Sequence, residues 1–304
     1  MNTEYQSGAV SPVGSIKEGW RIIGDDYWTF FGMTLVALVI IIIAAIILGV
    51  INNLIVAVMG GAFGVAANNS GDAVKVSAAI VPQLIGMVIS FFTNIVVGAL
   101  SGVLFCGIYK AMSRKVSDGA ADFGDLFGGF QYFSSCLIVA AVLSVIQFVF
   151  SLGALLVGMA LGVSALGLGM FTGNNGQVNP AALGGLVGIM LVFAVVYMIF
   201  SLILSALTSF TYPLIGDRAL SGGEALSLSA KSGFANMGGM ILLLILLFLM
   251  GIGGALLCGI GILFVAPIMS AAIFAAYQSV FGRVGSRYQN MPPPPPTFGS
   301  QPGY

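Results

Sequence analysis

Apolar residues run through this chain in long blocks separated by short polar segments. The blocks are too long for the alternation of a half-buried strand or the single stripe of a soluble amphipathic helix. A hydrocarbon core of ~30 Å needs about 20 helical residues at 1.5 Å each, so each charge-free block converts into a number of crossings. The first block holds one span, about 31–59, and then a Gly/Asn-rich stretch ending in Asn68-Asn69-Ser70-Gly71. The second is a span at about 78–109. The third, 126–216, contains no Asp, Glu, Lys or Arg, and its polar interruption Thr172-Gly173-Asn174-Asn175-Gly176-Gln177 divides it into spans near 135–161 and 183–210. The fourth, 232–282, gives spans at 239–256 and 260–277 around a tight reversal between Gly251 and Gly261. The pattern predicts an all-α, polytopic membrane protein whose six transmembrane helices form three hairpins.

The connectors between hairpins repeat a grammar of their own. Ser15-Ile16-Lys17-Glu18 reads as a capping box, followed by Ile16, Trp20, Ile23 and Tyr27 on one helical face and Lys17, Glu18, Arg21 and Asp25 on the other. Before the third span, Asp122 and Asp125 take the capping positions and Phe123, Phe127 and Phe130 supply the apolar face. Before the fifth, Ser221 and Glu224 form a second box ahead of Leu226, Ala230, Phe234 and Met237. Each connector predicts a short helix lying in the membrane interface, so the chain divides into three repeats at about 15–110, 122–216 and 221–282. The hairpins close near Tyr109, Tyr212 and Tyr277, which are expected as interfacial aromatics.

Composition sharpens the class. Of 304 residues 59% are hydrophobic and 7% charged, against roughly 25% charged in a soluble domain, and the mean hydropathy is +1.08. Ten basic and ten acidic side chains cannot cover a water-soluble surface of this size. The net charge of +0 leaves no basic footprint for nucleic acid, so no nucleic-acid partner is expected. The absence of His removes the commonest general base and transition-metal ligand. Cys106, Cys136 and Cys258 show no metal or redox spacing and are expected as small apolar side chains. No cofactor or metal is expected.

Placing the charges gives an orientation. With six spans, Lys17, Arg21, Lys110, Arg114, Lys115, Arg218, Lys231, Arg283 and Arg287 fall on one side and Lys75 on the other. Basic residues in short loops stay cytoplasmic, so both termini are expected in the cytoplasm and the protein in the bacterial inner membrane. The first 28 residues hold no apolar signal-peptide core, and no cleaved signal is expected. Residues 1–14 and the Pro-rich tail 283–304, with Pro292–Pro296, are expected to be disordered.

Certain motifs carry a family resemblance over about 15–282: Glu18-Gly19-Trp20, the helix end Gly107-Ile108-Tyr109-Lys110, the connector Asp125 to Phe130, and a closing hairpin with Gly259, Gly261, Pro267 and Tyr277. They resemble a family of uncharacterised bacterial six-helix membrane proteins, similar to the membrane domain fused to some glycerophosphodiester phosphodiesterases. The resemblance implies the fold. It implies no phosphodiesterase chemistry, because the hydrolase portion is absent here.

Functional candidates are few. The spans hold no ionisable residue of the kind that marks proton relays and coupled transport. Asn94 and Gln147, with Asn52, Asn53 and Gln83, are intramembrane polar groups suited to bonds between helices. Gly98/Gly102, Gly158/Gly162 and Gly184/Gly188 are helix-packing pairs, serving this chain's own helices or a second subunit. Trp20, Tyr27, Trp28, Phe127, Phe130 and Phe234 are interfacial anchors. Asp118, Asp122 and Asp125 form an acidic cluster better explained by capping than by a cation. The reading is a non-enzymatic structural, scaffold or accessory subunit, with membrane lipids and other membrane subunits or itself as partners. The alternative is a channel or facilitator for a small neutral or lipidic solute.

Overall fold

The computed structural model describes residues 5–67, 72–167, 180–257 and 259–282. Among them there are helices and connecting turns and no strand. The order is α1 (Pro12–Ile23), α2 (Tyr27–Ala67), α3 (Asp72–Asp118), α4 (Asp125–Gly128), a 3-10 turn (Gly129–Tyr132), α5 (Phe133–Gly167), α6 (Pro180–Thr208), α7 (Thr211–Arg218), α8 (Gly222–Ala235), α9 (Met237–Leu256) and α10 (Gly261–Phe281). Among the described residues six helical stretches are long and apolar enough to cross a membrane. The chain is therefore an all-α, multi-pass membrane protein.

The first hairpin is longer than its hydropathy predicts. α2 has 41 residues and α3 has 47, so each measures about twice the hydrocarbon thickness at 1.5 Å per residue. α2 continues through Gly60 and Gly61, where the sequence pattern suggests an end. A helix that satisfies its own backbone groups tolerates glycine well in an apolar setting, because the alternative is unpaired amides in lipid. The Pro-rich tail and residues 68–71 and 168–179 lie outside the described residues.

The start of the chain differs from expectation. The first helix begins at Pro12, with Pro at its first turn and extended Ser11 as N-cap, and Ser15 is buried inside it. The Ser15/Glu18 capping box therefore does not form, and Glu18 pairs with Arg21 at 2.6 Å instead. Proline at N1 costs no hydrogen bond and presets φ, which moves the start forward. Residues 5–11 lie against the bundle. The Gln6 amide donates to the Val280 carbonyl at 2.9 Å, Ala9 N–H donates to Asn236 Oδ1 at 2.9 Å, and Asn236 Nδ2 donates to the Gln6 carbonyl at 3.0 Å. Asn236 thus grips the segment through both ends of its amide.

The second connector does not form the expected Asp122/Asp125 capping pair, since α4 takes Gly124 as N-cap with no side-chain cap and Asp125 faces Arg114, while the third starts as its sequence suggests. Asp122 Oδ1 accepts from Gly124 N–H at 3.0 Å in an Asx-type turn leading into α4. Ser221 and Glu224 make the reciprocal capping box of α8. The break between α6 and α7 follows from Pro213, which cannot donate to the carbonyl four residues earlier. The Ser229 hydroxyl, from α8, fills the gap by accepting from Phe210 N–H at 3.2 Å and donating to the Leu207 carbonyl at 2.7 Å.

The core is confined to one part of the bundle. Phe30, Met33, Leu104, Ile108, Met112, Leu126, Phe210, Leu214, Phe274 and Tyr277 are fully buried. All lie in or next to the connectors. The halves of α2, α5 and α6 farther from them expose Ile46, Val50, Leu54, Val149, Leu156, Leu191 and Val195.

Candidate functional site

Glycine sets how the connectors meet the spans. α1 packs along α10, the Gly129 turn on α3, and α8 on α6, so each connector lies on the second helix of a hairpin. A Cβ on Gly19 would come within 2.6–2.8 Å of the Ala271–Ala272 backbone. One on Gly129 would strike the Val103 carbonyl, and one on Gly233 would lie 2.7 Å from the Ala206 carbonyl. Val103, Ala206 and Ala271 each stand six residues before a tyrosine, namely Tyr109, Tyr212 and Tyr277. The same docking therefore occurs three times. A Cβ on Gly107 would strike the Leu126 carbonyl, one on Gly216 would lie 2.6 Å from the Cys106 carbonyl, and one on Gly222 would strike the Ser135 carbonyl, so these glycines close the remaining gaps.

The G-x-x-x-G candidates behave unequally. Gly98 faces Ala140 of α5, where a Cβ would sit 3.2 Å from the alanine methyl, and Gly102 faces Cys136 and the Tyr212 ring. Among the described residues a Cβ on Gly188 meets nothing within 4 Å, nor does one on Gly185. The packing of Gly158, Gly162 and Gly184 lies outside what is described. The connector glycines escape a search for pairs four apart, because their partners are backbone on another element. Their one visible signal is a glycine within a short amphipathic segment.

A second feature missed in the sequence is a polar latch. Asp217 and Arg218 follow directly on the long charge-free block, and Ser113 stands near the end of α3. The Ser113 hydroxyl donates to Asp217 Oδ1, and the Tyr277 hydroxyl donates to Asp217 Oδ2 at 2.6 Å. Arg218 Nε donates to the Tyr277 oxygen at 2.9 Å and its Nη2 to the Phe281 carbonyl at 2.8 Å, while the guanidinium lies over the Tyr277 and Phe281 rings. The latch ties α3, α7 and α10 together, with both carboxylate oxygens occupied. Tyr277 is fully buried and Tyr109 nearly so, stacked on Phe274 at 6.1 Å. These tyrosines are thus core residues and not the interfacial aromatics their position suggests.

The charges near α4 are paired with one another. Arg114 sits among Asp118, Asp122 and Asp125 at 3.3–4.0 Å, and Lys115 meets Asp26 at 2.6 Å. The acidic cluster already has its cation. The proposed anchors face outward, with Trp28 71% and Phe234 73% exposed and Trp20, Phe127 and Phe130 about half exposed. Tyr27 is half-buried in a ring cluster with Trp20, Trp28 and Phe31, and its hydroxyl donates to the Phe264 carbonyl at 2.8 Å.

Polar groups within the spans bond to helices. Asn52 Nδ2 donates to Ser90 Oγ at 2.9 Å between α2 and α3, and Gln147 Nε2 donates to the Tyr197 hydroxyl at 2.7 Å between α5 and α6. Asn94 and Asn53 donate to carbonyls of their own helices. A cleft of about 430 Å³ between α6 and α9 is lined chiefly by apolar side chains, among them Met198, Leu202, Leu244 and Phe248. Among the described residues no group of three or more Cys, Asp or Glu is placed to hold a metal ion. No family model, no curated protein and no solved structure matches the chain.

Proposed function

We propose that the chain is a non-enzymatic scaffold or accessory subunit of a membrane assembly. One observation carries this reading: the most apolar stretch of α6 is only 6% buried within the chain, against 44% for α10. The glycine-docked, latched part is a rigid base. α6 presents an apolar face whose Gly185 and Gly188 leave room for another backbone to approach, as helix pairs in membranes require. The interhelical bonds of Asn52 and Gln147 support a packing role for the intramembrane polar groups over a solute path. The basic residues on the connectors favour a cytoplasmic placement of this base, in the inner membrane of a bacterium. The sequence motifs favour the six-helix bacterial family they resemble.

The test is purification of the full chain in mild detergent after crosslinking in native membranes. Recovery of a stoichiometric partner or of a second copy supports the reading. A lone monomer with no crosslinked species overturns it.

A further inference from the structure

Two of the three cysteines meet. Cys106 on α3 and Cys136 on α5 lie with sulfurs 3.6 Å apart, and both residues are completely buried. The contact has a cause in the backbone. Gly102, one turn before Cys106, lets α3 approach α5 so closely that a Cβ there would stand 3.2 Å from the Cys136 Cβ. The Cys106 sulfur also lies 3.6 Å from the Tyr212 carbonyl, which accepts its weak S–H bond. A disulfide is about 2.05 Å long, so the sulfurs need to close by about 1.5 Å.

We propose that Cys106 and Cys136 are an oxidation site that forms a disulfide and locks the first hairpin to the second. Burial selects the oxidant: it must be small, neutral and able to cross an apolar layer, as hydrogen peroxide is. One thiol attacks the peroxide, an S–O bond forms, the O–O bond breaks and one water leaves, giving a sulfenic acid. The neighbouring sulfur then attacks the oxidised sulfur, an S–S bond forms, the S–O bond breaks and a second water leaves. Two thiols lose two electrons in all, peroxide gains them, and the thiol protons end in the two waters. Proximity decides the product. A resolving thiol in van der Waals contact captures the sulfenic acid before a second peroxide can carry it to the irreversible sulfinic acid.

The experiment treats the full chain in native membranes with graded peroxide, denatures it, and counts free thiols with a polymer-tagged maleimide. Cys258 serves as the internal reference. The expected result is loss of two of the three labelling sites, their return after dithiothreitol, a mass loss of about 2 Da, and a crosslinked peptide joining positions 106 and 136. Cys136→Ser then leaves Cys106 to be trapped by dimedone, with no disulfide. If that variant does not accumulate, Cys136→Ala replaces it, and the wild-type thiol count decides independently. The proposal is overturned if all three thiols still label after peroxide, if the bond involves Cys258, or if Cys106 and Cys136 pass to sulfinic acid without pairing.

Discussion

The Tyr277 hydroxyl donates a hydrogen bond to Asp217 at 2.6 Å, and the same oxygen accepts from Arg218 at 2.9 Å. A fully buried phenol on the last helix therefore organises two charged neighbours that follow each other on α7. A hydrogen bond to a charged group is worth about 1.5–3 kcal/mol, more than a neutral one. Tyr277→Phe is expected to lower stability by that amount in detergent unfolding followed by size-exclusion recovery. Asp217→Asn, which keeps an acceptor for Tyr277, is expected to cost less. Equal stability of Tyr277→Phe and wild type would show that the latch holds nothing.

The docking glycines predict a graded series. Gly107→Ala and Gly129→Ala each drive a methyl into a backbone carbonyl, where no flexible side chain can yield. The expected cost is at least the ~1–3 kcal/mol typical of overpacking. Gly188→Ala meets open space and should leave the chain's own stability unchanged. Gly188→Leu then separates the two properties: the chain stays folded, while crosslinking to the α6 partner falls. An unaltered crosslinking pattern would place the partner elsewhere.

The two serine boxes should respond differently. Ser221 accepts from the Glu224 amide at 3.4 Å and bonds the Glu224 carboxylate at 2.8 Å, so Ser221→Ala should cost about 1 kcal/mol. Ser15 sits inside α1 and caps nothing, so Ser15→Ala should cost less than Ser221→Ala. Thermal midpoints of the two variants in one detergent provide the comparison, and a larger loss for Ser15→Ala would restore the discarded box.

Asn236 holds the N-terminal segment through both amide ends. Asn236→Ala removes both bonds, and residues 5–11 should become cleavable by a nonspecific protease while the helices stay protected. Gly239→Ala should act in the same direction, because its methyl would stand 2.6 Å from the Val10 carbonyl. Protection of the segment in both variants would mean that Gln6 and Val280 suffice to hold it.

The polar groups of the spans are expected to act on stability. Gln147→Leu removes a bond between α5 and α6, with a cost near the ~0.6 kcal/mol average for such bonds and no more than about 1.7. Vesicles containing wild type or Gln147→Leu should show the same solute leak as empty vesicles. A leak that depends on Gln147 would favour the facilitator reading.

Much of the architecture was legible because its signal is local and redundant. Charge-free blocks of twenty or more residues read as spans whatever their partners, and the Ser221/Glu224 box forms because all its atoms lie within one helical turn. The Ser15/Glu18 box failed on a competing local signal, Ser11-Pro12, which starts the helix earlier. The tyrosines at the ends of α3 and α10 failed for another reason. Position near a span end cannot say whether a ring points to lipid or to another helix, and Tyr277 points at Asp217. The latch itself joins residues from three distant elements, so no spacing announces it.

The sequence alone determined the solvent in which this chain folds and the number of its apolar helices, since both follow from summed side-chain transfer energies that do not depend on neighbours. Tertiary structure decided where the helices touch. In a membrane the approach of two helices rests on close packing, and that depends on whether a particular glycine meets a carbonyl, as Gly129 does, or open space, as Gly188 does. Composition treats those two glycines as the same residue, and only the fold tells them apart.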